Sequence, residues 1–399
     1  MKYDVAIVGG GIVGLATAYQ ILEANPKTKL VVLEKESSEA QHQTGHNSGV
    51  IHSGLYYKPG SLKATNCIRG YNMLLEFADK NDIPYDLCGK VVVATDKSEV
   101  AQLELLLNRG KENGLDGLKR LSVDELKEKE PHVAGVDAFF VPQTGIIDYK
   151  LVSTKYKENV ERNGGEVLFN FRVEGMAKSG DTWVVRSHNN MVEAGHVINC
   201  AGLYSDKVAR LTESTDVKII PFRGEYYMLK ESAHHLVKNL IYPVPDPNFP
   251  FLGVHFTRMM NGHIEAGPNA VLAFRREGYT KKDIHLGELM ESLAWPGFQK
   301  VATKYWKTGM GEMYRSFSKK AFTKALQKLI PEIKTSDLVT AEAGVRAQAC
   351  DRTGGLLDDF SIIDKPDAIH ILNAPSPAAT SSLSIGKTVA DMYINKQAE

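Results

Sequence analysis

Three glycines at a fixed spacing, followed by a carboxylate, carry the most specific chemistry in this 399-residue chain. Gly9, Gly11 and Gly14 belong to the run Gly9-Gly10-Gly11-Ile12-Val13-Gly14, and Glu34 stands twenty residues beyond Gly14. That combination suits a dinucleotide. Gly9 permits a tight turn, Gly11 lets backbone amides approach a pyrophosphate, and Gly14 lets a helix pack closely on a strand. Ile12 and Val13 open that helix, whose N-terminus faces the phosphate charge. Glu34 can accept both ribose hydroxyls and would repel a 2′-phosphate, which leaves FAD or NAD rather than NADP. The elements that must position these residues flank them. Tyr3 to Val8 is an apolar run of strand composition, a helix-like stretch ends near Glu23, and a second strand from Leu30 to Leu33 ends on Glu34. The whole reads as a βαβ unit of a Rossmann-like α/β domain.

Composition sets the frame. With 43% hydrophobic and 24% charged residues the chain is an ordinary soluble globular protein, long enough for two domains. Its 48 basic and 48 acidic residues exert no global pull toward nucleic acid. Cys67, Cys88, Cys200 and Cys350 lie far apart without a CxxC pair. That pattern predicts reduced thiols and no zinc or iron–sulfur site, and no other metal-ligand cluster is expected. A strand starting at residue 3 predicts no signal or transit peptide, and no apolar run approaches the roughly 20 residues of a membrane span. The expected address is the cytoplasm.

Two further stretches are predicted to return to the same nucleotide. Helical segments at about 61–80 and 97–113 follow the opening unit. A third begins at Ser122, an N-cap with Glu125 three residues on, and stops before Pro131. A helix over about 149–163 precedes a strand from Glu166 to Phe171 and strands near 182–187 and 192–199. The last of these runs into Val197-Ile198-Asn199-Cys200-Ala201-Gly202, a strand-to-turn whose small residues permit close backbone approach. Near the end, Ile369 to Asn373 and a Pro/Ala/Ser loop lead into a helix from about Ser381 to Asn395, which Ser and Thr can cap. The predicted architecture is a discontinuous dinucleotide domain over 1–86, 149–214 and 345–399. A substrate domain of α+β character, with a mixed sheet, is inserted as 87–148 and 215–344.

Particular motifs then point to a family. They are His46-Asn47-Ser48-Gly49-Val50-Ile51-His52-Ser53-Gly54, Gly253-Val254-His255-Phe256-Thr257 and Gly267-Pro268-Asn269-Ala270-Val271-Leu272. Gly344-Val345-Arg346-Ala347-Gln348 and Asn373-Ala374-Pro375-Ser376-Pro377-Ala378-Ala379-Thr380 complete the set. With the opening unit and the Val197–Gly202 turn they resemble the D-amino-acid-oxidase-type FAD oxidoreductases, and within these the L-2-hydroxyglutarate dehydrogenases. The resemblance spans nearly the whole chain. It implies FAD, and the presence of one Rossmann fingerprint without a second nicotinamide site agrees. It also implies cofactor contacts at Lys35, Thr44, His46, Asn47, Ser48 and Val50. Further contacts follow at Val173, at Ala201 and Gly202, and at Ser381, Ser382 and Leu383.

The implied reaction is oxidation of L-2-hydroxyglutarate to 2-oxoglutarate by hydride transfer to flavin N5, with electrons passed on to a quinone or another acceptor. Such chemistry needs cations for two carboxylates, a base for the hydroxyl proton and C2–H facing the flavin. Arg223 and Arg346, each just past an apolar strand-like run, are the candidate anchors. His255 is the leading base, on a stretch from Leu252 to Thr257 where alternation sets Val254 and Phe256 on the opposite face. His52 competes for that role. Tyr56, Tyr57, Tyr226 and Tyr227 are candidates to line the pocket, with Tyr56 and Tyr227 preferred, and Asn269 and Gln348 are candidate polar contacts. The competing readings are a flavoenzyme for an amino acid, an N-methyl amino acid or glycerol 3-phosphate, and a flavin-binding protein without turnover.

One segment departs from the neutral average. Between 298 and 328, Lys300, Lys304, Lys307, Arg315, Lys319, Lys320, Lys324 and Lys328 face Glu312 alone, a net +7. Phe322, Leu326, Leu329 and Ile330 form a helical apolar stripe beside Lys320, Lys324 and Lys328. Trp295, Phe298 and Trp306 add aromatic surface. A solvated helix packed on its own domain is one reading. The other is peripheral attachment to an anionic membrane on its cytoplasmic face, where a quinone collects electrons. The oligomeric state is left open.

Overall fold

The computed structural model describes residues 2–213, 215–246 and 252–397. The outer ends of the expected dinucleotide segments at Met1, Ser214 and Glu399 therefore lie outside the described residues. Two lobes are each organised by an eight-stranded sheet.

The first sheet is built on Lys2–Val8, whose last four residues are buried on both faces, as a central parallel strand requires. It pairs in parallel with Leu30–Leu33 on one side and Met191–Asn199 on the other. Glu166–Leu168 and Ala368–Asn373 extend the parallel core outward. The expected strand from Glu166 to Phe171 is shorter than its composition suggests. Asn170 adopts φ +57°, and Phe171 turns back so that its N–H donates to the Glu34 carbonyl. A strand not anticipated, Gly175–Ser179, forms an antiparallel hairpin with Thr182–Arg186. The helix Val123–Lys129 has the reciprocal Ser122/Glu125 capping box that its spacing predicts.

Small residues let three helices meet behind this sheet. The first helix, Ile12–Ala24, packs on the last, Ser382–Gln397, where Gly386 lies against the backbone of Ala16. The helix Leu62–Lys80 crosses the start of that last helix, with Gly70 against Ser381. The core between them holds Leu15, Ile21, Tyr156 and Val389, all fully buried.

In the second lobe the sheet order runs from Leu338–Thr340 through Tyr227–Leu229, Ile264–Gly267, His255–Arg258 and Leu240–Pro243 to Lys90–Ala94, Asp137–Val141 and Lys119–Leu121. It is mixed, because Leu240–Pro243 runs parallel to Lys90–Ala94 while its other pairings are antiparallel. The expected apolar stripe Phe322, Leu326, Leu329 and Ile330 is buried beneath this sheet with Phe256 and Ala266. A separate three-stranded sheet joins the lobes: Val217–Gly224 pairs along its whole length with Gly344–Asp351 and, at one end, with Val271–Leu272.

The helix contact makes a stability prediction. A Cβ on Gly386 would lie 2.7–2.9 Å from the Ala16 and Thr17 backbone, whereas nothing lies within 4 Å of one on Gly309, inside the helix Pro296–Phe317. Gly386→Ala should lower unfolding free energy by about 1–3 kcal/mol in a denaturant titration. Gly309→Ala should raise it by about 0.5–1 kcal/mol.

Candidate active site

A continuous cavity of about 1620 Å³ runs from the opening glycines to the face of the second sheet. Gly9, Gly11, Ile12, Val13, Glu34 and Lys35 line one end. Thr44, His46, Asn47, Ser48, Val50, Val173, Ala201 and Gly202 line its middle. His52, Tyr56, Tyr226, Tyr242, His255 and Arg346 line the far end.

The dinucleotide end passes a test of fit. Gly9 has φ +112°, and a Cβ there would lie 2.5 Å from the Cys200 carbonyl oxygen. Gly14 does not face the cavity; a Cβ on it would lie 2.0 Å from the Gly9 carbonyl oxygen, so this glycine sets the distance between helix and turn. At Gly11 a Cβ would meet only Thr44 Oγ1 at 3.4 Å, which leaves the approach to the helix N-terminus open. Glu34 is held from below: Gly10 N–H donates to Oε2 at 2.7 Å and Glu36 N–H to Oε1 at 2.9 Å. A carboxylate has about four lone-pair directions, so capacity for two ribose hydroxyls remains.

Beside Glu34, the structure gathers Glu36, His42 and Glu277, groups that sequence separation had kept apart. Lys35 Nζ pairs with both carboxylates, at 2.6 Å to Glu277, and His42 Nε2 lies 2.9 Å from Glu36. A cation is thus already supplied by the chain, and the cluster acts as an ion-pair clasp across the cavity rim. Behind it Tyr279 stacks on His46 at 4.2 Å between ring centres.

At the far end both candidate bases converge. His255 Nδ1 lies 2.9 Å from the Gly253 carbonyl, which can only accept, so the neutral ring carries its proton on Nδ1 and leaves the Nε2 lone pair free. Burial, with Arg346 and Lys90 nearby, holds His255 down to about 3. His52 is likewise held down to about 3 by burial, with Lys90, His255 and Arg346 contributing. Its backbone N–H donates to Thr380 Oγ1. The Tyr242 ring stacks on His255 at 4.0 Å, a contact absent from the sequence expectation. Phe256 points into the core behind, as alternation requires.

Register separates the two arginines. Phe222 stands opposite Arg346 and Val345 opposite Arg223, so the guanidinium groups leave the sheet on different faces. Arg346 lines the cavity beside Tyr226. Arg223 does not: its Nε and Nη2 donate to Glu225 Oε1 at 3.2 and 3.0 Å, and its Nη1 to the Thr280 carbonyl. The expected anchor is thereby corrected to a structural ion pair. Asn269 belongs with it, accepting from Glu225 N–H and donating to Glu225 Oε2 rather than facing the cavity. Tyr227 is corrected too. It packs on Phe322 at 4.8 Å in the core, and its neighbour Tyr226 takes the cavity face. Gln348 lines the cavity while its amide donates to the Leu357 carbonyl at 3.1 Å.

The C-terminal contacts shift by one turn. Ser382 and Leu383 are buried in the first turn of the last helix, Ser382 Oγ against the Tyr156 hydroxyl, and Ser381 lies against Gly70; the cavity is lined instead by Ala374 to Ala379. The sequence brought that loop back to the nucleotide but named none of its residues as contacts, and it missed Tyr242 and Lys90, which heads the apolar run Lys90-Val91-Val92-Val93-Ala94. A lone charge at the start of a wholly buried strand was the available signal.

The family model described as FAD dependent oxidoreductase (DAO) matches residues 4–392. The chain is 62% identical over 398 residues to the L-2-hydroxyglutarate dehydrogenase of Indibacter alkaliphilus, covering 99% of this chain and 100% of that protein. It is 45% identical to the mitochondrial L-2-hydroxyglutarate dehydrogenase of Homo sapiens, covering 98% and 88%. Among solved structures, the FAD-bound L-alpha-glycerophosphate oxidase of Mycoplasma pneumoniae superposes with a TM-score of 0.81 at 25% identity, over 99% of this chain and 95% of that one.

Gly11→Val should leave the purified protein folded and without flavin, because the branched side chain occupies the pyrophosphate approach. Retention of full yellow colour in that variant would remove the glycine from the cofactor site.

Proposed function

The chain belongs to the DAO family of FAD dependent oxidoreductases, and we propose that it oxidises L-2-hydroxyglutarate to 2-oxoglutarate. The full-length identity to a relative of that name is the observation that carries the reading. The cavity supplies the chemistry it needs. FAD, when bound, supplies the hydride acceptor. Gly9, Gly11, Glu34 and the 44–50 and 374–379 stretches would hold it. Arg346 receives the carboxylate next to the reacting carbon, with the Tyr226 hydroxyl beside it. His255 Nε2 takes the hydroxyl proton as the C2 hydrogen departs, while the Gly253 carbonyl fixes the tautomer. An anionic substrate also offsets the positive field at His255, so binding raises the basicity of the group that must act next.

Anaerobic addition of L-2-hydroxyglutarate should bleach the flavin, and glycerol 3-phosphate or an amino acid should not. His255→Ala should slow that reduction by roughly 10²–10⁴ with flavin content intact. In the free enzyme both imidazoles stay neutral far below neutrality, so kcat/KM for reduction should show no loss to imidazole protonation from pH 7 down to pH 5. A wild-type flavin that L-2-hydroxyglutarate leaves oxidised sinks the reading; a defect confined to His52→Ala transfers the role of base to His52.

For the electrons' onward route we propose a quinone at an anionic membrane surface on the cytoplasmic side. The stripe expected from sequence is buried, and so are Trp295 and Phe298. What supports the reading is the preceding pair of helices. Leu286 and Met290 are exposed on Leu286–Leu293, and Trp306 (60% exposed), Met310, Tyr314 and Phe317 share one face of Pro296–Phe317. Lys300, Lys304 and Lys307 are exposed beside them. Each basic residue near such a surface adds about 1 kcal/mol, screened over roughly 8–10 Å at physiological salt. The protein should sediment with anionic vesicles, release with salt, and stay in the supernatant when Trp306 and Phe317 become Ser. Equal recovery with neutral and anionic vesicles would end the membrane proposal and leave the flavin chemistry standing.

A further inference from the structure

Lys90 opens a strand whose five residues are all buried, and it is itself 1% exposed. Its Nζ lies 4.5 Å from the centre of the Tyr56 ring and 4.9 Å from that of Tyr242. Both rings line the far end of the cavity, and the buried Tyr56 hydroxyl has no hydrogen-bond partner. Among the described residues no carboxylate pairs with this ammonium. Two aromatic faces return only part of what an ammonium loses on leaving water. Burial accordingly pulls Lys90 down to about 7. The other titratable groups around it are Tyr56, Tyr242, Cys67, His52 and His255. Burial pushes the two phenols up, Cys67 up to about 12 and both imidazoles down to about 3. Lys90 is therefore the member of this group that changes charge near neutral pH.

Arg346 and Lys90 both act electrostatically on His52 and His255, from different sheets of the molecule. Lys63 also acts on His52 but is paired with Asp358 at 2.9 Å, and Arg223, the second anchor expected from sequence, is committed elsewhere. We propose that Lys90, from behind the Tyr56 and Tyr242 rings that line the cavity, draws the distal carboxylate of the substrate to the Tyr56 hydroxyl and so selects a dicarboxylic 2-hydroxy acid over a monocarboxylic one. The assignment rests on the reading of the site as a 2-hydroxy acid dehydrogenase. Occupation by a carboxylate requires the charged lysine, so binding takes up a proton above pH 7 and weakens as pH rises.

The test compares kcat/KM for L-2-hydroxyglutarate with that for L-2-hydroxypentanoate, the monoacid of equal length, using the flavin-loaded enzyme. Lys90→Met should lower the diacid-to-monoacid ratio about 100-fold, mainly through KM, and Lys90→Arg should restore part of it. Binding of 2-oxoglutarate, followed by the flavin spectrum, should weaken by about tenfold per pH unit above 7 in the wild type and lose that dependence in Lys90→Met. An unchanged ratio with normal flavin content, or an equal loss on both acids, overturns the proposal. Should Lys90→Met not fold, a wild-type 2-oxoglutarate affinity that is constant from pH 6 to pH 9 overturns it as well. Failure of the wider reading is a separate outcome, seen as wild-type flavin that L-2-hydroxyglutarate does not reduce.

Discussion

The pairing of Val217–Gly224 with Gly344–Asp351 is the constraint on which the site depends. It runs the chain out of the dinucleotide lobe and back along a single antiparallel ladder, and a strand's alternation then admits no compromise. One residue of slip in Gly344–Asp351 would take Arg346 out of the cavity, to the face that Arg223 occupies. The ladder is held by Ile219 and Ile220, both fully buried, and by Trp295, whose indole N–H donates to the Cys350 carbonyl at 3.1 Å. Packing remote from the cavity therefore decides which guanidinium faces it.

Within the site, the governing quantity is positive charge held away from water. Desolvation alone disfavours every cation there, and a carboxylate at the wrong place would relieve it without doing chemistry. Glu225 is tied to Arg223 and Asn269, Glu36 and Glu277 are tied to Lys35 at the opposite rim, and Glu265, near Tyr226 and Tyr242, is pushed up to about 7 by burial. The field of Lys90 and Arg346 adds to burial in lowering the basicity of both imidazoles. On the proposed reading, an arriving carboxylate would offset that field.

Much of this was legible in the residues, and the gaps have physical causes. The βαβ unit was readable because Gly9, Gly11, Gly14 and Glu34 act within one local element whose spacing is fixed by helix and strand geometry. Capping at Ser122 was readable for the same reason. The cavity face of His255 was readable because alternation over Val254, His255 and Phe256 is itself a local signal. Arg223 and Tyr227 were misassigned because their faces depend on partners more than forty residues away. Arg223 answers to Val345 and Thr280, and Tyr227 to Phe322. The strand Gly175–Ser179 escaped because Gly-Met-Ala-Lys-Ser has no strand composition, and its ladder to Thr182–Arg186 supplies what propensity does not.

The chain closes an earlier-made lobe with a later-made segment. Lys2–Val8 is synthesised well before Ala368–Asn373, which completes its sheet, and Ser382–Gln397, which covers the helix that follows it. Until those residues emerge, Leu15, Ile21 and the Gly11 turn face solvent, and the 374–379 wall of the cavity does not exist. A complete cofactor cavity accordingly forms late in synthesis. A chain cut short before Ala368 would lack the strand and helix that cover this core and would leave an apolar seam open to proteolysis.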